Sequence, residues 1–546
     1  MKITELIKNN KILIIIVIAS LLLILIPLYR QPIICNDEVL TRFWAGQGFE
    51  VFWNHYMDTY TSQGRLLGAP IATVDLFLGF VSQDISMYKI GQMLMLLMCS
   101  LLFGVFIKTC FKNTCFALLC SISFLLFLPI TFEHTPPNAF ISLVTIPTSF
   151  LLISLTVFIK YLENGLKKNL AISVFIFFIC CVCYEFFITM ILLYFSLTFV
   201  YKYDNVGNKR KLAIVSTVIA AIAYLILYLT SAVLFTSHYE GTTFANPIDL
   251  LNSISIVFTL FFASVPVYYL NSPKYHWLMS TAGEIDLIPI LVRVSLLFTL
   301  YMILIILLKK KSDKNDEQAL GSPMVILLGL MVATLPFTPI SISSMYQHMV
   351  GEQGFLALPA TFLAYYGIVF VICYIIWRIG KDKNSVHYWI TLVIALFILV
   401  VPMQMTNDIY CKMQEDDYGQ YILIEEFVES DGLFQIGGTS YKSPDLYTPH
   451  HILSVSDGYW TTYSQVYGNS ITILSAEPED LDDDRIYFEN GHLFEVWHDG
   501  NLTLMSKNQL PDRIEVIKIG QEKITVSTVD EKLSSDGWYV YACIIE

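Results

Sequence analysis

Apolar runs of about twenty residues recur along the first four hundred positions, each closed by a short polar or basic stretch. Residues 11–29 form the first, long enough to cross a bilayer as one helix. Residues 87–107, 115–130, 140–158, 212–235, 285–308, 324–337, 355–377 and 388–401 read as further single spans. The run 170–200 is too long for one ordinary span. It has Lys168 at one end and Lys202, Lys209, Arg210 and Lys211 at the other. Two short helices meeting near Tyr184-Glu185 keep both basic ends on one side, as the positive-inside rule asks. Residues 248–270 are apolar enough to span but carry Pro266, and the parity of the path asks them to lie on the membrane or re-enter it. Making 170–200 one helix and 248–270 a full span leaves the count unchanged but puts residues 202–211 outside. The preferred path has eleven spans. Lys2, Lys8 and Lys11 precede the first and set the N-terminus in the cytoplasm.

The pattern changes after residue 403. Residues 471–474, 485–488, 493–497, 502–505, 513–519, 523–529 and 538–545 alternate or are rich in β-branched and aromatic side chains. Glu489-Asn490-Gly491, His498-Asp499-Gly500 and Ser535-Asp536-Gly537 separate some of them as turns. The fold class expected is therefore a polytopic α-helical membrane domain over 1–403, with a first outer loop at 30–86. A β-rich domain follows over 404–546, outside the cell by parity.

Composition agrees. The chain has 546 residues, 55% hydrophobic and 14% charged, whereas soluble proteins carry roughly 25% charged residues. The net charge of −13 hides an asymmetry: residues 404–546 hold 26 acidic and 8 basic residues, a net of −18, which leaves +5 for residues 1–403. An acidic tail argues against nucleic acid as a partner. Most of the eleven cysteines lie in apolar runs and read as small buried hydrophobes. Cys411 and Cys543 fall in the tail and could pair if it faces outside. The first apolar run ends in Pro27-Leu28-Tyr29-Arg30 without a small-x-small cleavage pattern, so it reads as an uncleaved signal anchor in a multi-pass cell-membrane protein.

The loop after the first span carries the most chemistry. It opens on Cys35-Asn36-Asp37-Glu38, continues through Arg42, Trp44, Trp53, His55 and Asp58, and reaches Gln63-Gly64-Arg65. Its section 49–60 is amphipathic, suited to the membrane interface. A carboxylate at the membrane surface can take a proton from a hydroxyl. A cation there can hold a phosphate. Asp37 and Glu38 are the candidate catalytic acids. Arg65 is the first candidate for a phosphate, followed by Arg42 and Lys274. Interfacial snorkelling is the structural alternative for Arg65.

An acid pair directly after the first span, a long outer loop with interfacial helices and a Gly-Arg near its end resemble GT-C glycosyltransferases. The likeness is to the bacterial branch that includes serotype-converting glucosyltransferases, and it covers residues 1–400. It implies an integral-membrane transferase that takes sugar from a polyprenyl-phosphate donor on the outer face and delivers it to a surface glycan or lipid-linked acceptor. It also implies a role for Asp37 as catalytic base or as a contact to metal or acceptor. Many relatives have two aspartates where this chain has Asp37-Glu38, which leaves either acid as the base.

Other polar residues on the expected outer face could complete a cavity: Glu133 and His134 before Pro136-Pro137, His238, His348, and Glu185 at the turn inside 170–200. Glu185 lies deep in apolar sequence, where an acid is costly and is functional or paired, the partner expected being a buried arginine or tyrosine. A divalent cation could sit at Asp37 and Glu38 with a histidine, though no spacing demands one. The chain carries no phosphate-binding glycine loop, Ser-His-Asp order or nucleotide fingerprint. The short basic loops are too small to hold a nucleotide-sugar domain. The alternative function is a transporter or flippase for lipid-linked saccharides, which should show broken helices in matched positions; no matched pair stands out in the sequence.

Overall fold

A computed structural model describes residues 11–31, 48–75, 85–130, 135–201, 206–235, 250–266, 285–311, 324–351, 356–379 and 386–429, with Thr41, Trp44 and Gly354 between them. In the tail it describes 440–442, 472–474, 486–487, 493–498, 501–506, 509–518, 523–533 and 538–545. The chain divides into two compact units, one of Met1–Gln31 and Trp44–Cys411, the other of Pro32–Phe43 and Lys412–Glu546.

The first unit is helical: α1 Lys11–Arg30, α2 Phe49–Ser62, α3 Gly68–Asp75, α4 Ile85–Phe111, α5 Thr114–Leu126, α6 Ile141–Asn164 and α7 Lys167–Cys183. A 3₁₀ turn at Glu185–Met190 leads into α8 Ile191–Val200, followed by α9 Val206–Leu234, α10 Leu250–Ala263 and α11 Leu287–Lys311. α12 Met324–Thr334 runs through a 3₁₀ turn at Leu335–Phe337 into α13 Thr338–Ser341; α14 Ser344–Gly351, α15 Pro359–Ile379 and the part of α16 Val386–Glu429 up to Cys411 complete the unit.

Among the described residues, eight stretches are long and apolar enough to cross a membrane: Lys11–Arg30, Met87–Phe111, Ile141–Asn164, Lys209–Ser231, Leu287–Lys311, Met324–Ser341, Pro359–Arg378 and Ile390–Lys412. This is the architecture of a polytopic membrane protein, with fewer long spans than the eleven expected. Thr114–Leu126, Glu185–Val200 and Leu250–Ala263 are apolar but shorter. α5 starts where Asn113 accepts the Phe116 amide at 2.7 Å. It stops before Leu128-Pro129, because helical backbone is disfavoured ahead of proline. Its thirteen residues rise about 20 Å, short of a hydrocarbon core of roughly 30 Å. α10 stops three residues before Pro266. Outward-facing side chains such as Leu22, Leu101, Ile219 and Val292 are more than half exposed, a belt that suits lipid rather than water. α6 and α15 are the most buried of the eight and form the centre of the bundle.

The run after Asn164 folds into a helical hairpin. Ser154 on α6 hydrogen-bonds both Ser173 of α7 and the hydroxyl of Tyr194 on α8, and the Phe177 and Tyr194 rings lie 4.9 Å apart. Both arms therefore run side by side and turn at Tyr184, whose extended backbone breaks the helix. The end of α8 and the end of α6, which leads into α7, meet the same basic cluster: Lys209 reaches the Leu162 carbonyl of α6 and Arg210 the Thr198 carbonyl of α8.

α12 and α15 pack closely through glycine. A Cβ on Gly367 would lie 2.3 Å from the Gly329 carbonyl oxygen and 2.4 Å from the Ala333 nitrogen. Both are backbone atoms, so only separation of the helices could admit it. Gly367→Ala is expected to cost about 1–3 kcal/mol, as overpacking does, and to lower the melting midpoint of the detergent-solubilised protein.

In the second unit, β1 Ser440–Lys442, β2 Thr472–Leu474, β3 Ile486–Tyr487, β4 Leu493–His498, β5 Asn501–Ser506, β6 Arg513–Lys518, β7 Lys523–Leu533 and β8 Tyr539–Ile545 form one sheet in the order β2-β1-β4-β5-β8-β7-β6-β3. All seven expected strands are present; β1 was not expected. β4 and β5 pair antiparallel with His498 opposite Asn501, the register that a two-residue Asp-Gly turn signal asks for. Leu502, Leu504, Val526, Tyr541 and Cys543 form the core of the sheet, where burial raises the Cys543 thiol to about 11. Cys411 and Cys543 are both free thiols, not the disulfide that sequence allowed.

Candidate functional site

The bundle has two distinguishable ends. Gln92 of α4 donates to the Pro137 carbonyl at 2.8 Å at one end, and Lys112 pairs with Glu163 at the other. Twenty residues of helix separate Gln92 from Lys112, about 30 Å at 1.5 Å per residue. The first is the loop end and the second the basic end.

At the loop end, α2 presents Phe52, Tyr56 and Tyr60 inward. His55 stacks on Trp44 with centroids 4.1 Å apart. Burial holds His55 below the usual imidazole range, against the opposing pull of Asp58. The chain then turns sharply: the Gly64 amide donates to the Thr61 carbonyl at 3.0 Å and the Arg65 amide to that of Tyr60 at 2.8 Å. Gly64 has φ +77°, and a Cβ there would lie 2.5 Å from the Tyr228 ring, so glycine satisfies both the turn and the close approach.

This turn drives Arg65 into the bundle, where it is 5% exposed. Its Nε and Nη2 donate to the two carboxylate oxygens of Glu185 at 2.8 and 2.7 Å, and its Nη1 donates to Gln63 at 2.6 Å. The guanidinium lies 3.8 Å from the centroid of the Tyr184 ring. Glu185 sits at the hairpin tip because the helix breaks at Tyr184, and its side chain keeps 30% exposure. Tyr224 and Tyr228 on α9 lie within electrostatic reach of both charges. Arg65 is thus a buried partner in a bidentate pair rather than a snorkelling interfacial cation, and the buried arginine expected for Glu185 is Arg65. A guanidinium already gripped by a carboxylate offers less positive charge to a phosphate than a lone arginine. The group left partly open is the carboxylate.

A layer of buried polar side chains supports this end. Ser142 donates to Asp75 at the end of α3. Gln31 and Asn138 both donate to the Ile130 carbonyl, at 3.0 and 2.7 Å. Asn407 accepts the Ile130 amide and donates to the Leu128 carbonyl, each at 3.1 Å. Next to it Arg293 of α11 meets Asp408 at 2.5 Å, the Leu23 carbonyl at 2.6 Å and Gln404 at 3.2 Å. Sequence reading missed this second pair.

Of the other expected site residues, Asp37, Glu38, Arg42, Glu133, His134, His238 and Lys274 lie outside the described residues. His348 is exposed on α14, where its neighbour Gln347 is the one that turns inward, to Asn252 and Ser253. Among the described residues no group of three His, Cys, Asp or Glu side chains could hold a metal ion.

The hairpin tip has a counterpart. The 3₁₀ turn Glu185–Met190 packs against the 3₁₀ turn Leu335–Phe337 that interrupts the α12–α13 stretch. Two broken helices therefore meet at their breaks, although sequence alone offered no such pair. No protein-family model, curated protein or solved structure matches the chain.

Proposed function

We propose that this protein is an integral-membrane glycosyltransferase of GT-C type that moves sugar from a polyprenyl-phosphate donor to a surface glycan or lipid-linked acceptor. The observation that carries the reading is the partly exposed Glu185 carboxylate at the loop end, fixed from behind by the buried Arg65. Transfer to a hydroxyl needs an oriented acceptor and a base. Glu185, with Tyr228 beside it, can hydrogen-bond sugar hydroxyls while Arg65 fixes its orientation. Asp37 and Glu38, the first acids after the first span, supply the base. Phosphate recognition then falls to Arg42 and Lys274, with Arg65 acting chiefly through Glu185. The acidic β-rich domain faces outside and holds the acceptor.

One observation favours the flippase instead: discontinuous helices meeting at their breaks are a transporter feature. A single preparation separates the two. Purified protein in nanodiscs, given radiolabelled polyprenyl-phosphate sugars and a cell-wall extract, is expected to label the glycan. Label that stays on the lipid while reconstituted vesicles move it between leaflets would replace the transferase with the flippase.

A further inference from the structure

A second site lies at the basic half of the bundle, walled by α8, the α12–α15 pair, α4 and α6. It is a cavity of about 400 Å³, within the size range of ligand pockets. Its walls are apolar and aromatic, among them Phe106, Leu155, Leu197, Val332 and Phe370. It begins at Met190, just past the helix break, and reaches Cys110 and Tyr201 at the basic end.

The rim there is built from charge. Tyr201 donates to Glu163 at 2.6 Å, and Glu163 pairs with Lys112. Arg210 donates to the Thr198 carbonyl at 3.0 Å with its guanidinium 5.3 Å from the Phe199 ring, and Lys209 reaches the Leu162 carbonyl at 3.3 Å. Lys108 in the last turn of α4 and Lys160 near the end of α6 stand exposed nearby in sequence. Six cations thus accompany one carboxylate among the described residues 103–163 and 197–211 that frame this rim. An apolar slot beneath a cationic rim matches an anionic amphiphile.

We propose that this cavity seats an acyl chain of an anionic glycerophospholipid, its headgroup at the Lys108–Arg210 rim. The site stands apart from the transferase reading, whose donor and acceptor meet at the opposite end. It ties a structural lipid to the hairpin that carries Glu185, because Met190, Leu193 and Leu197 line the cavity on the same hairpin.

The test uses the full chain in nanodiscs containing phosphatidylglycerol with a photoactivatable group near the acyl terminus, beside matched phosphatidylcholine. Peptide mapping is expected to place cross-links on α4 and α8, with phosphatidylglycerol favoured about tenfold, the preference that one or two interfacial cations give. Leu197→Trp and, independently, Val332→Trp should each remove most of the labelling while the melting midpoint holds. Lys108→Gln with Lys160→Gln should bring the two lipids close to parity. Absence of cross-links on these helices overturns the site. Equal labelling of the two lipids by the unmodified protein overturns the anionic headgroup. Displacement of the probe by polyprenyl phosphate, but not by unlabelled phosphatidylglycerol, would reassign the cavity to an isoprenoid chain. Sugar transfer can fail in every preparation without altering these outcomes.

Discussion

Glu185→Leu is expected to destabilise the protein by about 3 kcal/mol, the low end for breaking a buried pair because Glu185 keeps 30% exposure. The loss should be larger than that of Arg65→Met. The reason is the chemistry of the survivor. Without Glu185, Arg65 stays charged at any accessible pH, 5% exposed, with Gln63 and the Tyr184 ring as its described partners. Without Arg65, Glu185 can turn toward the side on which it is already open. The double variant Arg65→Met/Glu185→Leu should recover most of the loss, since apolar replacement removes both desolvation costs at once. Melting midpoints of the three variants in one detergent decide the matter. A double variant as unstable as the two singles added together would show that the residues act independently, and a worse Arg65→Met would show that Glu185 is the more confined charge.

The hairpin was legible because charge sits at both ends of residues 170–200, and no single span can return both ends to one side. The need for a partner at Glu185 was legible from its depth in apolar sequence. Its identity was not, because Arg65 lies 120 residues away and is delivered by the turn at Gly64. The strands of the tail were legible from alternation and from Asp-Gly turns, except β1, a three-residue strand held by β2 and β4. The missed Arg293–Asp408 pair had a signal that went unused. Gln404, Asn407, Asp408 and Cys411 stand at the i, i+3, i+4, i+7 spacing of one helix face. All four point into the bundle, bonding Leu126, Leu128, Arg293 and Pro27 respectively. Read as the start of a soluble tail, they look solvated; α16 instead runs from Val386 through Pro402 to Glu429. The expected span count exceeded the observed one for a related reason. Apolar composition says that a segment prefers lipid or core, while proline and helix breaks decide whether it is long enough to cross.

Asp37→Asn is expected to lower sugar transfer by about 10²–10⁴-fold, the usual contribution of a positioned general base, with Glu38→Gln losing less. Asparagine keeps the size and hydrogen-bonding reach of the side chain but cannot accept the acceptor's proton. The loss should therefore fall on turnover and leave donor binding nearly unchanged. Two adjacent acids raise each other's proton affinity, which favours one of them as base near neutral pH and makes the assignment testable by comparison. If Glu38→Gln is the more damaging, the roles exchange while the transferase reading stands. If neither changes turnover, the base lies elsewhere, and Glu185 is the described loop-end carboxylate that is both fixed by a buried cation and partly open. Measuring Glu185→Gln in the same assay completes the comparison. This variant keeps a hydrogen-bonding group opposite Arg65 and removes only the charge, so a loss confined to substrate affinity would mark Glu185 as a sugar contact. A loss of turnover as large as that of Asp37→Asn would make it the base. Donor binding is read separately, by quenching of tryptophan fluorescence on addition of polyprenyl-phosphate sugar. Preserved quenching in Asp37→Asn beside lost transfer would confine the defect to the chemical step.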